Sequence, residues 1–188
     1  VQDPSDGSLN MSQERWLEVA ASGATPHRLN LCRSLAELPR QVDVAIVATP
    51  ADVRPAIIAG ITQQSQVNYW ILEKVLARSV EALQQIRNSV GTSGQAWVNT
   101  PRRALPWHQA IKDTLVPGRP MQLSVDGGDW GLACNSIHFL DMFAWLTGEK
   151  LEDCRTDGLD SQWVASKRPG NMEIMGRLDA WFSGGSRV

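Results

Sequence analysis

Charged and polar residues stand at the ends of three predicted β-strands in this 188-residue chain. Asp3 follows the first strand, Thr49 and Pro50 follow the second, and Glu73 with Lys74 follow the third. Ligands of open parallel sheets bind beyond the carboxyl ends of the strands, where an acid can accept hydrogen bonds from ribose hydroxyls. A lysine there can stabilise developing alkoxide charge on a substrate. The alternative is structural: Asp3 and Pro50 as turn residues, and Glu73–Lys74 as charges where a strand meets water.

A second polar set interrupts an apolar helix predicted over about residues 134–146. His138 lies four residues after Cys134 and three before Asp141, so these side chains share one stripe of the helix. A histidine in this stripe could exchange a proton with a bound alcohol. It could equally be a core histidine that hydrogen-bonds to Asp141. The spacing leaves both alternatives open.

The elements that must position these residues alternate between strand and helix in the first half of the chain. Strands are predicted at residues 42–48, 69–72 and 95–99, with helices over 51–61 and from the N-cap Ser79 to Arg87. This spacing predicts βαβ units and a parallel sheet. The nearly continuous apolar run 42–48 predicts a strand covered on both faces. Before it we expect a turn at 4–7, a helix over 11–22 and a strand at 29–31.

Prolines interrupt the second half, so we place a domain boundary between residues 1–99 and 100–188. There we expect a helix near 107–115, a strand at 121–125 and a loop at 127–131. The helix over 134–146 should stop at Gly148, and a strand should follow at 176–182.

Composition excludes several classes of protein. With 43% hydrophobic residues, 20% charged residues and a net charge of −2, the chain is typical of a soluble globular protein without a general nucleic-acid-binding field. No apolar run reaches the roughly 20 residues that span a bilayer. Three scattered cysteines and three scattered histidines indicate no disulfide framework and no metal site. We therefore expect a cytoplasmic protein that binds neither nucleic acid nor membranes.

The order of the motifs resembles the Gfo/Idh/MocA oxidoreductases along nearly the whole chain. The matching segments are residues 42–50, the Glu73-Lys74 pair, residues 99–103, and residues 138–141 followed by Gly148. The resemblance implies an α/β chain: an incomplete Rossmann-type parallel sheet that lacks its first βα unit, followed by part of an α+β domain with an open sheet. It also implies a dinucleotide-binding domain at 1–99 and a substrate-binding domain at 100–188.

The resemblance further implies an NAD(P)-dependent enzyme that transfers a hydride to or from a hydroxyl or carbonyl carbon of a sugar or sugar derivative. Lys74 matches the lysine that contacts substrate and nicotinamide, and His138 matches the acid/base. NAD or NADP would bind at Asp3, Thr49, Pro50, Glu73 and Lys74, with Asp3 favouring NAD. Substrate would bind at Arg103, Trp130, Asn135 and His138. Residues 128–138 resemble a branch that acts on bacterial surface-polysaccharide sugars, and the full-length protein is expected to be a homo-oligomer.

Three departures from the family pattern stand out. Val75 replaces a proline, Cys134 replaces an aspartate, and the sequence contains no GxGxxG loop. We therefore expect an internal fragment of a longer enzyme that by itself is inactive and binds NAD(H) weakly or not at all. Cys134 also permits an alternative: a non-catalytic cofactor- or sugar-binding relative that acts as a sensor or assembly protein.

Overall fold

The computed structural model describes residues 1–21, 28–91, 95–167 and 170–188. They divide into two compact units, unit 1 (Val1–Asn99) and unit 2 (Thr100–Val188). Both units combine helices with strands, and the predicted α/β class is confirmed.

Unit 1 is built on a parallel sheet. Its elements are α1 (Asp6–Ala21), β1 (Gln41–Val47), α2 (Arg54–Gln64), β2 (Gln66–Glu73), α3 (Val80–Val90) and β3 (Gln95–Asn99). The strands lie in the order β1-β2-β3, and both pairs are parallel. As predicted, Ser79 caps α3: its hydroxyl accepts a hydrogen bond of 3.2 Å from the Ala82 backbone N–H.

Helices α2 and α3 cover one face of this sheet. Trp70 and Leu72 of β2 are buried there against Ile58 of α2 and Ile86 of α3. Strand residues alternate between faces, so the other face carries Ile46, which is 69% exposed. The prediction that β1 is covered on both faces is therefore wrong for the described residues.

The amino-terminal segment also differs from expectation. Helix α1 begins at Asp6, within the predicted turn and five residues before the predicted start. The acidic Asp6 lies in its first turn, where a negative charge interacts favourably with the helix dipole. Neither the predicted strand that ends at Asp3 nor the one at 29–31 forms; an isolated parallel bridge instead joins Gln2 to Cys32. The expected helix end at Ser22 lies outside the described residues.

Unit 2 places one long helix against antiparallel strands. Its elements are a 3₁₀ turn (Pro101–Ala104), α4 (Pro106–Thr114), α5 (Leu132–Thr147), β4 (Leu151–Arg155), β5 (Leu159–Ala165), β6 (Met172–Gly176) and β7 (Asp179–Phe182). Strand β4 pairs with β7 and β5 with β6. Phe143 of α5 packs edge-to-face on Phe182 of β7, with ring centroids 5.2 Å apart. This contact lies in the core of the unit.

Two predicted strands of unit 2 need correction. The segment 121–125 makes only an isolated bridge, between Gln122 and Arg187. The segment 176–182 is interrupted because Gly176 ends β6 with a φ of 108°, a conformation that L side chains rarely adopt, and β7 starts only at Asp179. Gly148 ends α5 in the left-handed conformation, as predicted.

Candidate functional site

The carboxyl ends of the three parallel strands bring together several predicted cofactor-binding residues. Glu73, the last residue of β2, lies opposite Asn99, the last residue of β3. The Asn99 side-chain amide donates a 2.8 Å hydrogen bond to the Glu73 carboxylate. Thr49 and Pro50 follow β1 at the same edge of the sheet, because the strands run parallel. Glu73 therefore joins two strand ends, and Asn99 belongs to this edge although the sequence analysis did not name it as a candidate site residue.

Lys74 follows β2 directly and is half-buried. The Lys74–Val75 peptide bond is cis, at the position where the family has proline. At the end of the neighbouring strand, the Thr49 hydroxyl oxygen is buried and makes no hydrogen bond to any described residue. Lys74 and Thr49 thus lie in the segments that follow two adjacent strands.

Arg54 was not identified from the sequence, although it lies within this edge. It is the first residue of α2 and is 1% exposed. Its guanidinium donates to the backbone carbonyls of Thr49, Val75 and Leu76. The available signal was a single charge at the start of a helix whose other buried residues are Pro55, Ile58 and Ile61.

Asp3 acts as a turn residue, which is the structural alternative considered for it from the sequence. Its carboxylate accepts a 2.8 Å hydrogen bond from the backbone N–H of Ser5, just before α1 begins. Its own backbone N–H donates to the carbonyl of Cys32. A contact between Asp3 and a ribose stays a prediction.

In unit 2, the 3₁₀ turn packs against α5. This packing brings Arg103 of the turn to Asp141 of the helix, two residues singled out from the sequence. The Arg103 guanidinium donates to both carboxylate oxygens of Asp141, with Nε 3.0 Å from Oδ2. Asp141 lies one turn after His138 on α5. The structure therefore places Arg103 close to the helix that carries the proposed acid/base.

The loop before α5 brings Trp130 and Asn135 together. The Asn135 side-chain amide donates a 2.6 Å hydrogen bond to the Trp130 carbonyl. The Trp130 ring meets Phe139 edge-to-face at 5.4 Å. These contacts fix the loop against the first two turns of α5. Trp130 and Asn135 were both predicted to bind substrate.

The start of α5 is held by Glu173, which sequence reasoning also missed. Gly131 precedes the helix and provides no side-chain cap. Glu173 of β6 is 4% exposed, and its carboxylate accepts a 2.5 Å hydrogen bond from the Ala133 backbone N–H. A buried carboxylate at this end of a helix satisfies an unpaired donor and interacts favourably with the helix dipole. The pattern of polar and apolar residues in β6 did not indicate this role.

Two kinds of feature are absent from the described parts of the chain. Every helix there is too short or too polar to span a bilayer. These parts also contain no group of three His, Cys, Asp or Glu side chains arranged to hold a metal ion.

Comparison with known proteins finds similarity in structure only. No family model and no curated protein matches the sequence. Among solved structures, myo-inositol dehydrogenase from Lactobacillus casei is similar over 100% of this chain and 57% of its own, with TM-score 0.65 and 14% identity.

Two other solved structures show the same similarity. UDP-N-acetylglucosamine 3-dehydrogenase GnnA from Acidithiobacillus ferrooxidans is similar over 93% of this chain and 56% of its own, with TM-score 0.59 and 20% identity. The transcriptional regulator Gal80p from Kluyveromyces lactis is similar over 99% and 55%, with TM-score 0.63 and 13% identity. The chain thus spans about half the length of the structures it matches. Over that length it has the fold of the Gfo/Idh/MocA-type dehydrogenases.

Proposed function

We propose that this chain is part of an NAD(P)-dependent oxidoreductase that acts on a hydroxyl or carbonyl carbon of a sugar or sugar derivative. The observation that carries the proposal is the edge of the parallel sheet, where Lys74 and the buried Thr49 hydroxyl follow adjacent strands. Ligands of open α/β sheets bind at this edge. The inositol and UDP-N-acetylglucosamine dehydrogenases of the same fold support the substrate class.

The residues at this edge fit the nicotinamide half of a dinucleotide. The Thr49 hydroxyl makes no hydrogen bond to a described residue, so a bound amide could supply its partner. The sequence has no GxGxxG loop for the pyrophosphate. We therefore expect residues 1–188 to bind NAD(H) only weakly. When bound, the nicotinamide would accept or donate the hydride.

The chain's own residues would handle the charge and the proton of the substrate oxygen. Lys74 would donate a hydrogen bond to that oxygen and stabilise negative charge as it develops. His138 would remove or return its proton. Arg103, Trp130 and Asn135 would orient the substrate, and Asp3 would contact the adenosine ribose.

A second candidate is a non-catalytic regulator that keeps the ligand site. Two observations favour it: Cys134 occupies the position where the family has an aspartate, and Gal80p, a transcriptional regulator, has the same fold. A regulator needs ligand affinity but no proton transfer.

Kinetics on the protein expressed from its complete reading frame distinguish the two candidates. The protein is assayed with NAD(H) and NADP(H) against a panel of sugars, nucleotide sugars and inositols. For an enzyme, we expect His138→Asn to lower kcat about 100-fold or more, because the amide cannot exchange a proton, while cofactor affinity is kept. His108→Asn, in the other half-buried histidine of unit 2, is the matched control and should leave kcat near that of the wild type.

Each outcome of this assay decides between the candidates. Cofactor or sugar binding without turnover, unchanged by His138→Asn, would support the regulator and overturn the enzyme. A gain of turnover in Cys134→Asp would identify the missing aspartate as the cause. Absence of both binding and turnover would contradict both candidates.

A further inference from the structure

Arg54 is a buried charge that neither the sequence motifs nor the proposed chemistry accounts for. It is 1% exposed and is among the largest fully buried side chains of the described chain. Burying an arginine is costly unless hydrogen bonds satisfy its donors. Its partners should therefore reveal what it does.

The guanidinium bonds to two separate segments. One terminal nitrogen, Nη1, lies 2.5 Å from the Val75 carbonyl oxygen and 2.8 Å from that of Leu76, both after β2. The other, Nη2, donates to the carbonyl of Thr49, after β1. One rigid, planar group thus connects the carboxyl ends of two adjacent strands.

The charge around this group comes from Glu73. Burial lowers the pKa of Arg54, whereas the negative charge of Glu73 raises it. Glu73 also accepts the hydrogen bond from Asn99 at the end of β3. The ends of all three strands are therefore linked through Arg54, Glu73 and Asn99.

We propose that Arg54 is a positioning residue for Lys74, because its guanidinium holds the segment after β2 against the segment after β1. Val75, whose carbonyl it binds, directly follows Lys74, so release of that carbonyl would free the backbone that carries the ammonium group. The importance of this role for catalysis rests on the proposed function; the hydrogen bonds themselves do not.

The first test uses the wild-type chain and needs no variant. A buried guanidinium that is held by three carbonyls should give separate, slowly exchanging NMR signals for its Nη protons. Arg87 of α3 is exposed and is the internal comparison; its Nη protons should exchange rapidly with water. Rapid exchange at Arg54 would overturn the proposal.

The second test is Arg54→Lys, with Arg87→Lys as the matched control. Lysine keeps the positive charge, but a single ammonium cannot hold both segments. We expect amide hydrogen exchange of residues 49–53 and 74–77 to rise about tenfold or more, the size expected for the loss of a charged hydrogen bond. Exchange within residues 67–72 of β2, which reports on the stability of unit 1 as a whole, should rise less than exchange in these two segments. A folded variant with unchanged loops, or with a uniform rise across unit 1, would contradict the proposal; if the variant does not fold, the wild-type guanidinium signals decide.

A third measurement separates this proposal from the proposed function. NADH is titrated into the wild type and into Arg54→Lys, and the shift of the Lys74 amide signal is followed. A shift in the wild type that is lost in Arg54→Lys supports both proposals, and an equal shift in both proteins overturns the positioning role. No shift in the wild type contradicts nicotinamide binding, and the exchange of residues 74–77 then still decides whether Arg54 holds this segment.

Discussion

Arg54 in unit 1 and Arg103 in unit 2 each hold a segment beside a proposed site residue, but in different surroundings. Arg54 is 1% exposed and donates to three backbone carbonyls. The side chain of Arg103 is 46% exposed, and its partner is the Asp141 carboxylate, 20% exposed. The first arginine holds two backbone segments together, whereas the second pairs its side chain with the carboxylate of another side chain.

The difference shows how surroundings decide what one residue type contributes. If Arg54 is lost, three partly buried hydrogen bonds from one buried, charged donor are lost together, and such bonds are expensive to lose. If Arg103 is lost, water can replace its hydrogen bonds, because the ion pair is partly solvated. We therefore expect Arg54 to contribute strongly to the stability of unit 1. Arg103 should mainly orient side chains in unit 2.

Arg54→Met should have the largest effect. Loss of three hydrogen bonds from a charged, buried donor should lower the free energy of unfolding of unit 1 by about 3 kcal/mol or more. Native-state hydrogen exchange of the β2 amides measures this loss. Arg33→Met is the control, since Arg33 forms an exposed ion pair with Asp6 that solvent screens, and its loss should have little effect. Equal losses in the two variants would contradict the comparison.

Glu173→Gln tests the buried support of unit 2. The amide keeps an acceptor for the Ala133 N–H but removes the negative charge at the start of α5. We expect the α5 amides to lose about 1–2 kcal/mol of protection against exchange. Glu152→Gln on the exposed strand β4 should have no measurable effect. If both variants behave alike, the cap at Glu173 does not stabilise the helix.

Arg103→Met should have a smaller effect on stability. Solvent screens the pair with Asp141, so a double-mutant cycle with Asp141→Asn should give a coupling energy of about 1 kcal/mol or less. Urea unfolding of the four proteins provides the measurement. A coupling energy as large as the loss of about 3 kcal/mol expected for Arg54→Met would contradict the proposed difference between the two units.

Glu149 gives the smallest effect, and one that appears only in acid. Hydrogen bonds from Ser186 and Gly184 lower the pKa of its carboxyl below the ordinary value of 4.5. A lowered pKa stabilises the folded state above the unfolded pKa, and this stabilisation is lost as pH falls through the folded pKa. Below pH 4.5, the melting temperature should therefore fall less steeply in Glu149→Gln than in the wild type. Parallel curves would show that these hydrogen bonds do not couple folding to protonation.

Local patterns in the sequence were sufficient for much of the fold. The three parallel strands, the Ser79 cap and the Gly148 stop each follow from short-range spacing, and the structure contains them. The segments 29–31 and 121–125 have strand-like composition, but the second makes only a single bridge and the first makes none, because pairing depends on neighbours that composition does not specify.

The supports of the candidate site could not be predicted in this way. Arg54 reaches Val75 over 21 residues, Arg103 reaches Asp141 over 38, and Glu173 reaches Ala133 over 40. Such contacts depend on how elements pack, whereas a sequence pattern describes neighbours within a helix or strand. Lys74 was singled out by its place at a strand end and His138 by its place in a helix stripe; the roles that the family resemblance implies for them stay predictions.

The central claim is that a nicotinamide nucleotide binds at the carboxyl ends of β1 to β3, and amide NMR of this chain during an NADH titration tests it most directly. We predict shifts centred on Thr49 and residues 73–75, rising without saturation up to about millimolar NADH, since the sequence lacks a GxGxxG loop. Shifts confined to unit 2, or no shifts at Thr49 and residues 73–75, would contradict binding at this edge.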